Sequence, residues 1–185
     1  MGFSHPTDRL LFLVYADRTA AVAAIETGRD VRHQHGLRGA LLLPQHIHST
    51  IWHVHDGFSP PPDDLIVALA ACAIRVSMPA FRVSFDRVES FIGGPLVLRG
   101  EEGVVGLELL HEKLKAVLGI RRTSGFVPHV TLLRDKSRLL SSMPIEPIEW
   151  TVSEFALVHS LLGKTTHRVL ARFPLVSPPP SDRGR

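Results

Sequence analysis

Cysteine is nearly absent from this sequence: Cys72 stands alone among 185 residues. That excludes an internal disulfide and a cysteine-rich zinc site, and it fits a reducing, cytoplasmic setting. The thiol lies in "LIVALAACAIRV", where nothing beside it would lower its pKa, so a small buried hydrophobe is the expected role. Long apolar runs are also missing. The run near the start is only about seven residues long, too short to span a bilayer and without the layout of a signal peptide, so a soluble protein is expected. Neither sign of charge dominates: 21 Lys and Arg face 18 Asp and Glu, for a net charge of +3. Such a balance tolerates a polyanionic partner without demanding one. Low hydrophobicity combined with charge is confined to the end, "VSPPPSDRGR". The expected organisation is therefore one domain over residues 1–176 and a flexible Pro-rich tail over 177–185.

What is present is periodic. "RLLFLVYA" (9–16) reads as a strand buried on both faces; Asp17 can cap a helix that follows, and Gly36 can end it. After "DGFSPPP" a second helix is predicted from about Asp63 to Met78. "FRVSFDRVESFIG" and "GPLVLRG" read as strands, "VVGLELLHEKLKAVLG" as an amphipathic helix, and "HVTLLRD", "IEWTVSEFALVHSLL" and "THRVLARFPLV" as closing strands. A helix followed by a strand that opens on His-x-Thr occurs twice, which predicts an α+β fold of two similar lobes.

The chain has 11 histidines, four of them in "LLLPQHIHSTIWHVHDG" (41–57). On an alternating strand His46, His48, Thr50 and Trp52 share one face while His53 and His55 share the other, away from any groove. A His-x-His strand can chelate a metal, but no acidic residue except Asp56 accompanies His46 and His48, and the metal reading ranks last. The sharper signal is a match 81 positions further on: "HSTI" at His48 and Thr50, "HVTL" at His129 and Thr131. Two strands so marked, facing each other across a pseudo-twofold axis, would bring two imidazoles and two hydroxyls into one cleft. Phosphodiester chemistry needs a proton taken from the attacking oxygen and one given to the leaving oxygen, and two histidines supply both near neutral pH. Threonine hydroxyls hold the non-bridging oxygens.

With the paired His-x-Thr motifs, "FVPHVTLLR", "FALVHSLL" and "HRVLARFPL", the chain from about residue 9 to 175 resembles the two-histidine (2H) phosphoesterase superfamily, in particular its bacterial 2'-5' RNA ligase-like (LigT-like) RNA 2',3'-cyclic phosphodiesterases. The resemblance implies two pseudo-symmetric lobes of antiparallel sheet with helices outside and a groove between. It also implies hydrolysis of 2',3'-cyclic phosphates to 2'-phosphates without metal or other cofactor, with 2'-5' RNA ligation as an associated activity. RNA termini or small cyclic nucleotides are the implied partners, with no membrane and no obligate protein partner, so a monomer is expected. Carried over, His48 is the proton donor, His129 the proton acceptor, and Thr50 and Thr131 bind phosphate. Arg134, Phe126 and Trp52 are further candidate substrate contacts. Arg134 requires a twist or a strand end to turn toward His129. Trp52 stands where the family commonly has a basic residue. His111 in "LELLHEKL" is expected on a helix surface, and "IRRTSG" as a solvated turn. Two other functions keep the same groove: a non-catalytic module that holds an RNA end, and a phosphoesterase for another small cyclic phosphate.

Overall fold

The computed structural model describes residues 5–121, 125–164 and 166–176, so the predicted tail and residues 122–124 of "IRRTSG" lie outside the described residues. The elements run β1 (Asp8–Tyr15), α1 (Arg18–His35), β2 (His48–Gly57), α2 (Asp63–Ala73), β3 (Phe81–Ser90), β4 (Pro95–Arg99), α3 (Val105–Val117), β5 (Val130–Arg134), β6 (Met143–Val152), β7 (Glu154–Leu161) and β8 (Thr166–Pro174). Asp17 caps α1, accepting from the Ala20 amide at 2.8 Å, and Gly36 closes it in the left-handed region at φ 64°.

These strands form two four-stranded antiparallel sheets, ordered β2-β1-β7-β8 and β5-β4-β3-β6. The fold is α+β with two lobes, but neither lobe is a consecutive half of the chain. The first sheet takes its strands from both ends of the sequence, and the second takes the middle. Each motif strand, β2 or β5, is the edge of its sheet, and these two edges approach each other. The helices cross over. α1, which follows β1, packs on β5 and β6 of the other sheet, and α3, which follows β4, packs on β2 as well as β3. α1 reaches β5 at Gly28, where an added Cβ would lie 2.8 Å from the Leu41 side chain and 3.4 Å from Leu132. A larger residue there would require the Leu41 side chain to move aside.

One continuous core fills the space between sheets and helices. Phe12, Phe155 and Phe173 form its aromatic centre under the first sheet, with centroids 5.0 to 6.2 Å apart, and each such ring stabilises by roughly 1.5–3 kcal/mol through burial. A smaller patch of Leu11, Leu13, Ala156 and Val158 covers the opposite face of the same sheet.

Two expectations need correction. α2 ends at Ala73 instead of Met78. Pro79 disfavours helix at the residue before it, and Val76 and Met78 leave the helix to pack into the core. Cys72 is only half-buried and carries a free thiol, because the short α2 lies against the protein along one side.

Candidate active site

His48 begins β2 opposite Tyr15 of β1, and Thr50 sits opposite Leu13. Beyond Thr50 simple alternation fails. Trp52 pairs with Phe12, leaving Ile51 as an extra residue, and His53 pairs with Leu11 and His55 with Leu10, leaving Val54 extra. A bulge puts two residues against one and reverses the faces that follow. Trp52 therefore turns into the core beside Phe12, and His53 turns onto the face of Thr50, the opposite of the expected arrangement. β5 carries the same device. Thr131 pairs with Val97 and Leu133 with Leu96, so Leu132 is the extra residue. The bulge supplies the turn that Arg134 requires, setting it on the Thr131 face. The two motifs thus match to their fifth following position: His48, Thr50 and His53 in β2, and His129, directly before β5, with Thr131 and Arg134 in it.

These six residues line one cleft of about 580 Å³, together with Arg9, His46 and His167. The imidazoles of His48 and His129 are held alike. Nδ1 of His48 lies 2.6 Å from the carbonyl of His46, and Nδ1 of His129 lies 2.8 Å from that of Val127, each two residues upstream. A carbonyl only accepts, so Nδ1 is the protonated nitrogen in both rings and Nε2 carries the free lone pair. Burial pushes His48 down to about 4, against the pull of the His46 carbonyl, with the His167, His129 and His46 rings adding to the depression. His129 is lowered chiefly by burial, and the charges of Arg99 and Arg134 add to it. Both are neutral at pH 7.

The supports of the cleft are polar. The Asp135 carboxylate accepts from the amides of Arg38, Gly39 and Ser137 and from the Ser137 hydroxyl, fixing the chain directly after Arg134. These bonds, led by the Ser137 hydroxyl, hold its pKa well below the usual carboxylate range. At the other end Asp56 receives Arg9 in a two-point pair at 2.7 and 2.8 Å and lies 2.8 Å from Nε2 of His53, which keeps Asp56 ionised.

Phe126 and Trp52 do not line the cleft. Both pack on His111, Phe126 in parallel at 4.2 Å and Trp52 tilted at 5.1 Å. His111 is 5% exposed, which corrects its expected surface position. It falls on the stripe of Leu107, Leu110 and Leu114, and its Nδ1 bonds the carbonyl of Ile51, the bulge residue, at 2.8 Å. His167, the first residue of "HRVLARFPL", is a cleft residue outside both His-x-Thr motifs, and the β7–β8 register, pairing it with Ser160, carries it there. The Arg9–Asp56 pair was legible in principle, since the two are cross-strand partners. Among the described residues no three His, Cys, Asp or Glu are arranged to hold a metal, and no helix is long and apolar enough to cross a membrane.

A model of the 2'-5' RNA ligase superfamily matches residues 19–164. Among solved structures, Escherichia coli LigT without ligand is similar in fold, at 22% identity and TM-score 0.77 over 94% of this chain and 100% of that one. A structure described as a phosphoesterase matches at 20% identity and TM-score 0.72, again over 94% and 100%. The protein TT0787 of Thermus thermophilus matches at 23% identity and TM-score 0.72, over 91% and 98%. The E. coli protein has also been solved with 3'-AMP and with ATP. No curated protein matches in sequence.

Proposed function

The chain belongs to the 2'-5' RNA ligase superfamily, and from that membership we propose that it hydrolyses RNA or nucleotide 2',3'-cyclic phosphates to 2'-phosphates, with His48 and His129 as its acid and base. The observation that carries this reading is the matched pair of imidazoles in one cleft, each anchored at Nδ1 by a carbonyl two residues upstream and each accompanied by a threonine.

Thr50 and Thr131 donate to the non-bridging oxygens of the phosphate. Water attacks phosphorus as Nε2 of His129 takes its proton, a role suited to a ring that burial, with Arg99 and Arg134, keeps neutral. The bond from phosphorus to the ribose 3' oxygen breaks, and that oxygen takes a proton from Nε2 of His48, leaving a 2'-phosphate and a 3'-hydroxyl. His48 is neutral in the empty cleft; the anionic substrate favours its charged form, so the proton arrives with the phosphate. Solvent then exchanges protons with both rings and restores the starting state. A 5'-hydroxyl in place of water gives a 2'-5' linkage by the same steps. Nucleotide complexes of E. coli LigT support a nucleotide-class substrate. All four residues come from one chain, so a monomer suffices.

The test is turnover of 2',3'-cyclic nucleotides, and of an RNA ending in a cyclic phosphate, in EDTA by the wild type, His48→Ala and His129→Ala. The expected product is the 2'-phosphate alone, with either change costing about 10²- to 10⁴-fold. A 3'-phosphate product, activity that vanishes with the chelator, or a wild type inert on every cyclic phosphate would sink it.

A further inference from the structure

His48 is not alone on its side of the cleft. Across the first sheet, His167 of β8 presents its ring edge-on to His48 at 5.2 Å, stacks on His46 at 4.5 Å and meets the Tyr15 hydroxyl at its own Nδ1, 3.2 Å away. That hydroxyl makes no other hydrogen bond among the described residues; either atom can carry the proton between them, and we take the phenol as the donor, with Nδ1 of His167 accepting. The proton of neutral His167 then sits on Nε2. This nitrogen bonds to no described residue and is not sealed from solvent, and the side chain lines the cleft. His48 and His167 are thus opposite tautomers, one offering a lone pair and the other an N–H.

We propose that His167 is a substrate-contacting residue, its Nε2–H donating to an oxygen of the phosphoryl group beside His48, with Tyr15 as the positioning residue that fixes its tautomer. The inference rests on the cyclic-phosphate reading of the cleft. The His129 side has no counterpart among the described residues: there Phe91 stands edge-on to the ring at 4.9 Å, with Arg99 over Phe91. His167 therefore distinguishes the leaving-group side from the water side.

Two measurements test it. A long-range proton–nitrogen spectrum of the full chain reads tautomers without turnover: His167 is expected as Nε2–H, His48 and His129 as Nδ1–H, and added 2'-AMP should move the His167 nitrogens along with those of His48. In kinetics, His167→Phe should lower kcat by about 10²-fold, the scale of one lost transition-state donor. His167→Gln, whose amide can replace Nε2–H, should recover most of it, and Tyr15→Phe should fall between. A His167 found as Nδ1–H, nitrogens that stay still while those of His48 move, or a His167→Phe that keeps wild-type kcat would overturn the proposal. A wild type inert on cyclic phosphates whose His167 still responds to 2'-AMP would refute the reaction and support the contact.

Discussion

The imidazole of His111 on α3 donates to the main-chain carbonyl of Ile51, the residue that bulges from β2 between Thr50 and Trp52. A helix that follows one sheet thus holds the backbone kink that aims a cleft residue of the other. His111→Phe keeps the stack with Trp52 and Phe126 but leaves that carbonyl unpaired, which costs about 1–3 kcal/mol. The expected result is a melting temperature lower by roughly 2–10 °C for a chain of this size, and a kcat that falls further than the fraction unfolded explains. Calorimetry alongside kinetics on the cyclic substrate checks it; unchanged kcat with lowered stability would leave His111 a core residue only.

The rate should depend on pH in a way set by the empty cleft. His129 must be neutral, so kcat/KM rises with pH through its pKa, which lies below 6.5. His48 must be protonated, so kcat/KM falls as pH passes its value of about 4. The expected profile is a bell with its maximum on the acid side of 6.5, and kcat, which reports the substrate-bound site, should have its basic limb at higher pH. A kcat/KM profile centred above pH 7 would contradict these environments.

Stability should move the other way on acidification. The folded pKa values of His48 and His167 are about 4, below the ordinary 6.5. The unfolded chain therefore binds protons first, and the contribution of these rings, complete above 6.5, is lost as pH falls toward 4. Denaturant midpoints measured from pH 8 to 4 should drop over that window, and a His48→Gln, His167→Gln double variant should flatten the drop. An equal slope in both proteins would show that other groups govern it.

Arg134 offers a different signature. It stands at the exposed end of β5 on the cleft face, so its contribution is attraction and alignment of phosphate. Arg134→Gln is expected to raise KM by about tenfold, the scale of one charged hydrogen bond, with a smaller effect on kcat and a weaker dependence of KM on salt. Loss confined to kcat would reassign it.

Much of the site is readable from local patterns. The succession of strands and helices, the caps at Asp17 and Gly36, and the expectation that both His-x-Thr motifs share a cleft rest on signals local to the chain. What alternation misses comes from the bulges: a strand sequence gives no sign of where its partner skips a residue, so strict alternation puts Trp52 and His53 on the wrong faces. His111 is a different case, since the spacing of Leu107, Leu110 and Leu114 marks its position as buried and only its polarity argues otherwise. Nothing in "HRVLARFPL" marks His167 as a cleft residue, because its place depends on the pairing of β8 with β7 and of β7 with β1.

The crossed packing of the helices also constrains how the chain comes into being on the ribosome. When α1 emerges, the strands it must cover, β5 and β6, are still about a hundred residues from synthesis, and β1 waits longer for β7. Ala20, Ala24, Ile25 and Val31 therefore remain without their final partners while most of the chain is being made. The first sheet cannot close until β7 and β8 are made, and the non-local pairings that complete it favour a slow closing step. The strand of Thr131 has its sheet partners β3, β4 and β6 in one consecutive stretch, but the sheet of His48 and Thr50 lacks β7 and β8 until the end, so a product truncated before Glu154 should have no complete cleft.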